Sequence, residues 1–207
     1  MFGVDRFGTL LFFLLFAFLI SDSGVSSWPN VVGSAANVGA LVAGFTATGL
    51  GKNRLRLGVL AAIGVTSAVL VGFDEAAIPL TIGAFGQAIV LVAILLAVVR
   101  RVLSHERVGM PTIAGAIAAY VLIGLIFAWI YLAMRGLFEG PILDPDVASL
   151  PTYYSFEVLT TLGFGDITPV NDFVQRLTAL EAIAGQIFLA TLVARLVAMY
   201  GSPARSQ

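Results

Sequence analysis

The chain has 207 residues, 59% of them hydrophobic and 11% charged, where a soluble domain carries about 25% charged residues. Eleven Lys and Arg against twelve Asp and Glu leave a net charge of −1, and the mean hydropathy is +1.00. So few charges cannot cover so much apolar surface in water, so a membrane protein is expected and a basic nucleic-acid-binding face is excluded; with no Cys and one His, disulfide scaffolds, Cys nucleophiles and Cys/His zinc sites are excluded as well.

A membrane-crossing helix needs roughly 20 mainly apolar residues. Segments of this kind run over Phe7–Ile20, with loose ends, then Val31–Leu50, Leu55–Phe73, Pro79–Leu103, Thr112–Met134 and Phe173–Tyr200. The first resembles a secretory signal, with Arg6 ahead of it and small residues at Ser21–Ser27, but retention as a span is the favoured reading. The second is rich in small residues, and the Ala40/Gly44 spacing lets helix backbones approach closely, with Asn37 as interhelical glue. The last is interrupted by Gln175, Arg176, Glu181, Gln186 and Arg195. About six residues follow it, so no cytoplasmic ligand-binding domain is expected on this chain. His105, between Ser104 and Glu106, reads as a solvated loop residue.

The expected fold class is therefore an all-α membrane protein with six transmembrane helices. Basic residues mark the cytoplasmic side. With six spans and an inside N-terminus, Arg6, Lys52, Arg54, Arg56, Arg100, Arg101, Arg107, Arg195 and Arg205 fall inside, and only Arg135 and Arg176 fall outside. Asp22, Asp74, Glu75, Glu139, Asp144, Asp146, Asp166 and Asp172 fall on the outer side. Both termini are expected in the cytoplasm of a multi-pass plasma-membrane protein, with the polar region from Gly136 to Asp172 outside.

The chemistry lies between the fifth and sixth spans, in Tyr153-Tyr154-Ser155-Phe156-Glu157-Val158-Leu159-Thr160-Thr161-Leu162-Gly163-Phe164-Gly165-Asp166. Non-helical backbone at membrane depth is tolerated only where protein or a water-filled path surrounds it. Gly163 and Gly165 can adopt positive φ, which lets successive carbonyls face one way. A ring of such carbonyls can replace the water shell of a cation. Pro151 suits the start of a short helix over Thr152–Thr161, whose partly negative C-terminus would face that cation. One copy supplies one part of a ring, so several chains must surround an axis.

Thr161-Leu162-Gly163-Phe164-Gly165-Asp166 resembles the Thr-Val-Gly-Tyr-Gly-Asp signature of potassium channels, and the likeness spans about residues 112–201. Tyr153-Tyr154-Ser155-Phe156-Glu157 is similar to the Trp-Trp-Ser-Val-Glu pore-helix opening of the small bacterial proton-gated potassium channels. Glu157 and Asp166 keep the nine-residue separation found there, and Pro169 and Arg176 follow at the usual places. The resemblance implies a re-entrant pore helix and selectivity filter between helices 5 and 6 of a homotetramer. It implies K+ held by the carbonyls of Thr161, Leu162, Gly163 and Phe164 and by the Thr161 hydroxyl, with Gly165 completing the filter. It also implies filter support from Glu157, Asp166, Tyr153 and Tyr154, with a proton shared between the two carboxyls, and a gating-hinge glycine within one residue of Gly185. Leu162 for Val and Phe164 for Tyr are departures. The second removes a hydroxyl that ties the filter to its surroundings in relatives, which puts filter rigidity in question.

Glu181 is a functional candidate because an ionisable group at that depth is expensive. Its favoured reading is a hydrogen bond to the back of the pore helix rather than a place on the ion path. Gln186 and Thr191 are candidate cavity polars, and Arg195 is expected to snorkel toward the interface. Residues 1–108 form a four-helix region, 109–201 a pore domain and 202–207 a short tail. Pro79–Val99 carries no charge, so an arginine-based voltage sensor has no source. The expected function is passive, potassium-selective conduction, with a weakly selective or non-selective cation channel of the same architecture as the alternative. No intramembrane His/Asp cluster, Ser/Lys dyad or metal-ligand spacing points to an enzyme. No cofactor is expected. The expected partners are K+, membrane lipids and three further copies of the chain, with room for a separate regulatory subunit.

Overall fold

The computed structural model describes residues 7–20, 39, 54–71, 77–104, 109–145 and 151–200. Apart from Gly39, the expected span Val31–Leu50 with Asn37 lies outside the described residues, as do the loop residue His105 and the tail 202–207. Among those described the helices are α1 (Phe7–Ile20), α2 (Arg54–Val71), α3 (Ala77–Leu103), α4 (Met110–Arg135), α5 (Pro151–Leu159) and α6 (Asp172–Tyr200). Two short strands, β1 (Leu143–Asp144) and β2 (Thr168–Pro169), complete them. Helices dominate because a lipid-exposed backbone must satisfy its own N–H and C=O groups. Among the described residues three helices are long and apolar enough to cross a membrane: Ala77–Leu103, Met110–Arg135 and Asp172–Arg195. The shorter apolar stretches Phe7–Phe16 and Gly58–Val71 precede them in sequence.

Packing centres on α3 and α4. Val90, Leu91, Ile94 and Val98 of α3 and Ala118, Ala119, Leu122 and Leu125 of α4 belong to one buried cluster, which also takes in Phe7, Leu10 and Leu14 of α1. The buried Gln87 amide of α3 donates to the Gly64 carbonyl (3.1 Å) and to the Ser67 hydroxyl (3.0 Å) of α2. Such polar contacts hold helices together where the surroundings offer no hydrophobic driving force.

The helix α6 is placed differently. Half or more of the apolar window is buried in α3 (50%) and α4 (61%), but only 11% in α6. Its Leu180, Ile183, Ile187, Val193 and Val197 are all exposed in the single chain. A face this apolar has lipid or protein against it. Near the other end of α6 the Arg195 guanidinium reaches across to α3 and donates to the Val102 carbonyl (2.9 Å) and the Leu103 carbonyl (3.4 Å). These are among the last carbonyls of α3, which have no intrahelical donor and sit at the negative end of its dipole. Arg195 therefore caps a neighbouring helix, where the sequence alone suggests a side chain reaching for the interface.

At the opposite end of the bundle β1 pairs antiparallel with β2, Leu143 opposite Pro169 and Asp144 opposite Thr168. The Val170 N–H adds a bond to the Ile142 carbonyl (3.1 Å). Ile142, Leu143, Ile167 and Val174 bury together with Tyr131, Met134 and Tyr154. The loop after α4 is thereby pinned to the segment that follows Asp166.

Candidate ion-conduction site

The short helix α5 starts on Pro151, whose missing N–H is no loss at a first helical position. Its end is a Schellman motif. The Thr161 N–H bonds the Val158 carbonyl and the Leu162 N–H bonds the Glu157 carbonyl, both at 2.9 Å. That motif needs a left-handed residue, and Thr161 supplies it with φ 58°. A β-branched residue in this region is strained by about 1–2 kcal/mol. The strain persists because the local bonds fix the backbone: the Thr161 hydroxyl donates to the Thr160 carbonyl (2.6 Å), and the Gln186 amide of α6 donates to the Thr161 hydroxyl (3.3 Å).

Beyond the helix the left-handed conformation recurs at every second residue, at Gly163 (φ 59°) and Gly165 (φ 75°). Alternation of hand turns successive carbonyls to the same side of an extended strand. Accounting for the carbonyls completes the picture. Those of Glu157 and Val158 are taken by the Schellman bonds, that of Leu159 by the Tyr120 hydroxyl of α4 (3.1 Å), and that of Thr160 by Thr161. Among the described residues nothing donates to the carbonyls of Thr161, Leu162, Gly163 or Phe164. Residues 160–166 are all exposed in the single chain, with Leu162 at 57% and Phe164 at 67%. Four consecutive free carbonyls on one short strand form a ligand array for a hard cation.

Of the four side chains expected to support this strand, Glu157 bonds it directly and Tyr153 reaches Asp166 at its end, while Tyr154 does neither. One oxygen of the buried Glu157 carboxyl, Oε1, accepts the Gly165 N–H (3.1 Å), while Oε2 is buried with no hydrogen-bond partner among the described residues. Asp166 accepts from the Tyr153 hydroxyl (2.9 Å). The two carboxyls expected to share a proton thus each hold a different group here. The bond to Asp166 keeps the exposed Tyr153 phenol above its ordinary pKa, since ionisation would set two negative charges together. Tyr154 turns away from the strand and pairs with the Thr178 hydroxyl of α6 (2.7 Å). Replacing Glu157 by alanine leaves the Gly165 N–H without its acceptor. The expected result is an altered time course of filter inactivation with conduction retained; a current identical to wild type would remove Glu157 from the filter.

Behind α5, Glu181 lies fully buried and bonds Ser155 of α5 and Tyr131 of α4 (2.7 Å). It bonds the back of α5, as its depth suggests, and not the strand. Gln186 does reach the strand, through Thr161, whereas Thr191 is exposed one turn and more beyond it. Gly185 sits in unbroken helix and marks a close approach: a Cβ there would stand 2.5 Å from the Leu159 carbonyl oxygen. Tyr120, Tyr131 and Thr178 join the site without having been singled out in the sequence. One signal was available for the tyrosines. They stand eleven residues apart, three helical turns, on one face of α4.

Residues 119–201 match the family model described as "Ion channel". The match takes in most of α4, all of α5, the carbonyl strand and α6, so it falls on the part of the chain that carries this geometry. No curated protein and no solved structure matches the chain.

Proposed function

We propose that the chain is one subunit of a homotetrameric, potassium-selective channel that conducts passively across the plasma membrane. The observation that carries this reading is the alternation of left-handed residues at Thr161, Gly163 and Gly165, which leaves four consecutive carbonyls unpaired. Four chains around an axis would close these carbonyls into stacked rings, with the Thr161 hydroxyls at the inner end. A dehydrated K+ exchanges its water oxygens for such a set at little net loss. The C-terminus of α5 adds its dipole to the same point. The exposure of Leu162, Phe164 and the apolar face of α6 supports assembly, because each needs cover that one chain does not provide. The loop after α4 is then extracellular and both termini cytoplasmic. The uncharged stretch 79–99 gives voltage no handle, so gating is independent of an arginine-rich helix.

A less selective cation channel is favoured by one observation. Phe164 has no hydroxyl, and the hydroxyls of Tyr153 and Tyr154 are engaged with Asp166 and Thr178, so among the described residues the hydrogen bonds to residues 161–165 come from Glu157, Gln186 and the local turn. Flux through liposomes holding the purified protein, with K+ and Na+ in competition and Ba2+ as blocker, separates the two. Barium-sensitive K+ flux that excludes Na+ is the expected result. Equal flux of both ions would establish the less selective pore, and a monomeric protein would overturn both.

A further inference from the structure

The channel reading leaves Glu181 without a task, yet it is the most completely enclosed carboxyl among the described residues. Its oxygens meet hydroxyls from two other helices. Oε2 accepts from Tyr131 of α4 (2.7 Å), and Oε1 is hydrogen-bonded to the Ser155 hydroxyl of α5. The same Ser155 oxygen lies 2.7 Å from the Gly124 carbonyl of α4. A serine hydroxyl has one proton, and a carbonyl can only accept. When the Ser155 proton serves Gly124, the contact between Ser155 and Glu181 needs a proton on the carboxyl. The surrounding hydroxyls do not supply one. Thr178 donates to the Val174 carbonyl (2.8 Å), Tyr154 donates to Thr178 (2.7 Å), and the Tyr131 hydroxyl already donates to Oε2. No Lys or Arg is among the hydrogen-bond partners of Glu181, and an unpaired carboxylate at bilayer depth is expensive.

We propose that Glu181 is a protonated strut: a carboxylic acid that donates to Ser155, accepts from Tyr131 and so locks α6, α5 and α4 together behind the filter. The inference rests on the channel reading and concerns how the filter is held, not what it passes. Ser155 stands two residues before Glu157, whose carboxyl holds the Gly165 N–H. A shift of α5 at Ser155 is therefore passed to the carbonyl strand. Glu181 touches no ion in this arrangement and acts as a positioning residue.

Glutamine is the neutral mimic of a protonated glutamate, with an acceptor oxygen and a donor nitrogen in the same places. In the liposome assay, measured on the assembled fraction, Glu181→Gln is expected to keep the K+/Na+ flux ratio within about twofold of wild type, because both bonds survive. Glu181→Ala removes both bonds and is expected to lower that ratio by about tenfold or more, since the loss of even one buried hydrogen bond corresponds to about that change. A merely structural role would reduce the yield of assembled protein and leave the ratio alone. Infrared difference spectra of wild type against Glu181→Gln near neutral pH are expected to show the carbonyl stretch of a protonated carboxylic acid in the wild type. A wild-type ratio in Glu181→Ala, damage by Gln as severe as by Ala, or a carboxylate band in place of the acid band would each overturn the proposal. Should Glu181→Ala fail to assemble, Ser155→Ala and Tyr131→Phe carry the same flux test, with the same outcomes. A wild-type protein that passes K+ and Na+ equally would count against the selectivity reading, while the infrared difference still decides the proton.

Discussion

Replacing Gly163 by alanine is expected to abolish potassium-selective flux while the protein still assembles. A Cβ at Gly163 meets nothing within 4 Å, so the substitution causes no collision in the chain. The effect is conformational. At φ 59° an L-residue is disfavoured by about 1–2 kcal/mol relative to the right-handed regions. The backbone relieves this by rotating to negative φ, which swings a carbonyl out of its row. In a four-chain ring the penalties add to roughly 4–8 kcal/mol, at least about a thousandfold against the state with all four carbonyls facing the axis. The measurement is barium-sensitive K+ flux against Na+, together with subunit count. Normal selective flux in Gly163→Ala would show that the alternation of hand is not what conducts. Gly165, at φ 75° with equally open surroundings, is expected to behave in the same direction.

Gly185→Ala is expected to lower the thermal stability of the assembled protein, and the sign of that change decides between two roles for this glycine. If Gly185 were a hinge in an otherwise tolerant helix, alanine would stabilise α6 by about 0.8–1.0 kcal/mol, since it is the better helix former. The packing argues the other way. The added Cβ would lie 2.5 Å from the Leu159 carbonyl oxygen and 2.9 Å from a Leu159 methyl carbon. That oxygen is backbone and is already held by the Tyr120 hydroxyl, so it has little freedom to retreat. Overpacking of this kind costs about 1–3 kcal/mol per site. Either α6 moves away from the C-terminus of α5 or the end of α5 moves, and Thr161 follows two residues later. A lower unfolding temperature with altered flux is the expected pair of observations. A higher unfolding temperature with reduced opening would restore the hinge.

Much of the site is legible in the sequence because it is local. The Gly-aromatic-Gly spacing, Pro151 ahead of it and Thr161 at the turn are properties of consecutive residues, and the Schellman end and the positive φ angles follow from them. The start of α5 falls within one residue of the expected position, and its helical end two residues earlier, because Thr160 and Thr161 belong to the cap. The expected spans at Pro79–Leu103 and Thr112–Met134 correspond closely to α3 and α4, since long apolar runs have few alternatives to helix, whereas Phe7–Ile20 is helical as α1 but is shorter than a membrane crossing needs. Other contacts are not legible in this way. The resemblance implies a proton shared by Glu157 and Asp166, and in the structure Glu157 Oε1 takes the Gly165 N–H and Asp166 takes the Tyr153 hydroxyl. Arg195 reaches the end of α3 and caps it from ninety-three residues away, a partner that snorkelling toward the interface does not specify.

The sequence by itself determined that the chain lies in a bilayer, that its long segments are helices, and that one Gly-rich strand between two of them can present free carbonyls. These follow from composition, periodicity and backbone sterics, none of which needs a partner. Only the tertiary structure decided which group satisfies which. Tyr120 on the Leu159 carbonyl, Tyr131 and Ser155 on Glu181, and the fit of Gly185 against α5 join residues 26 to 50 positions apart. Hydrogen-bond pairing at such separations depends on the approach and rotation of whole helices. Those are set by side-chain packing across α4, α5 and α6, and a pattern read along one strand of sequence does not contain them.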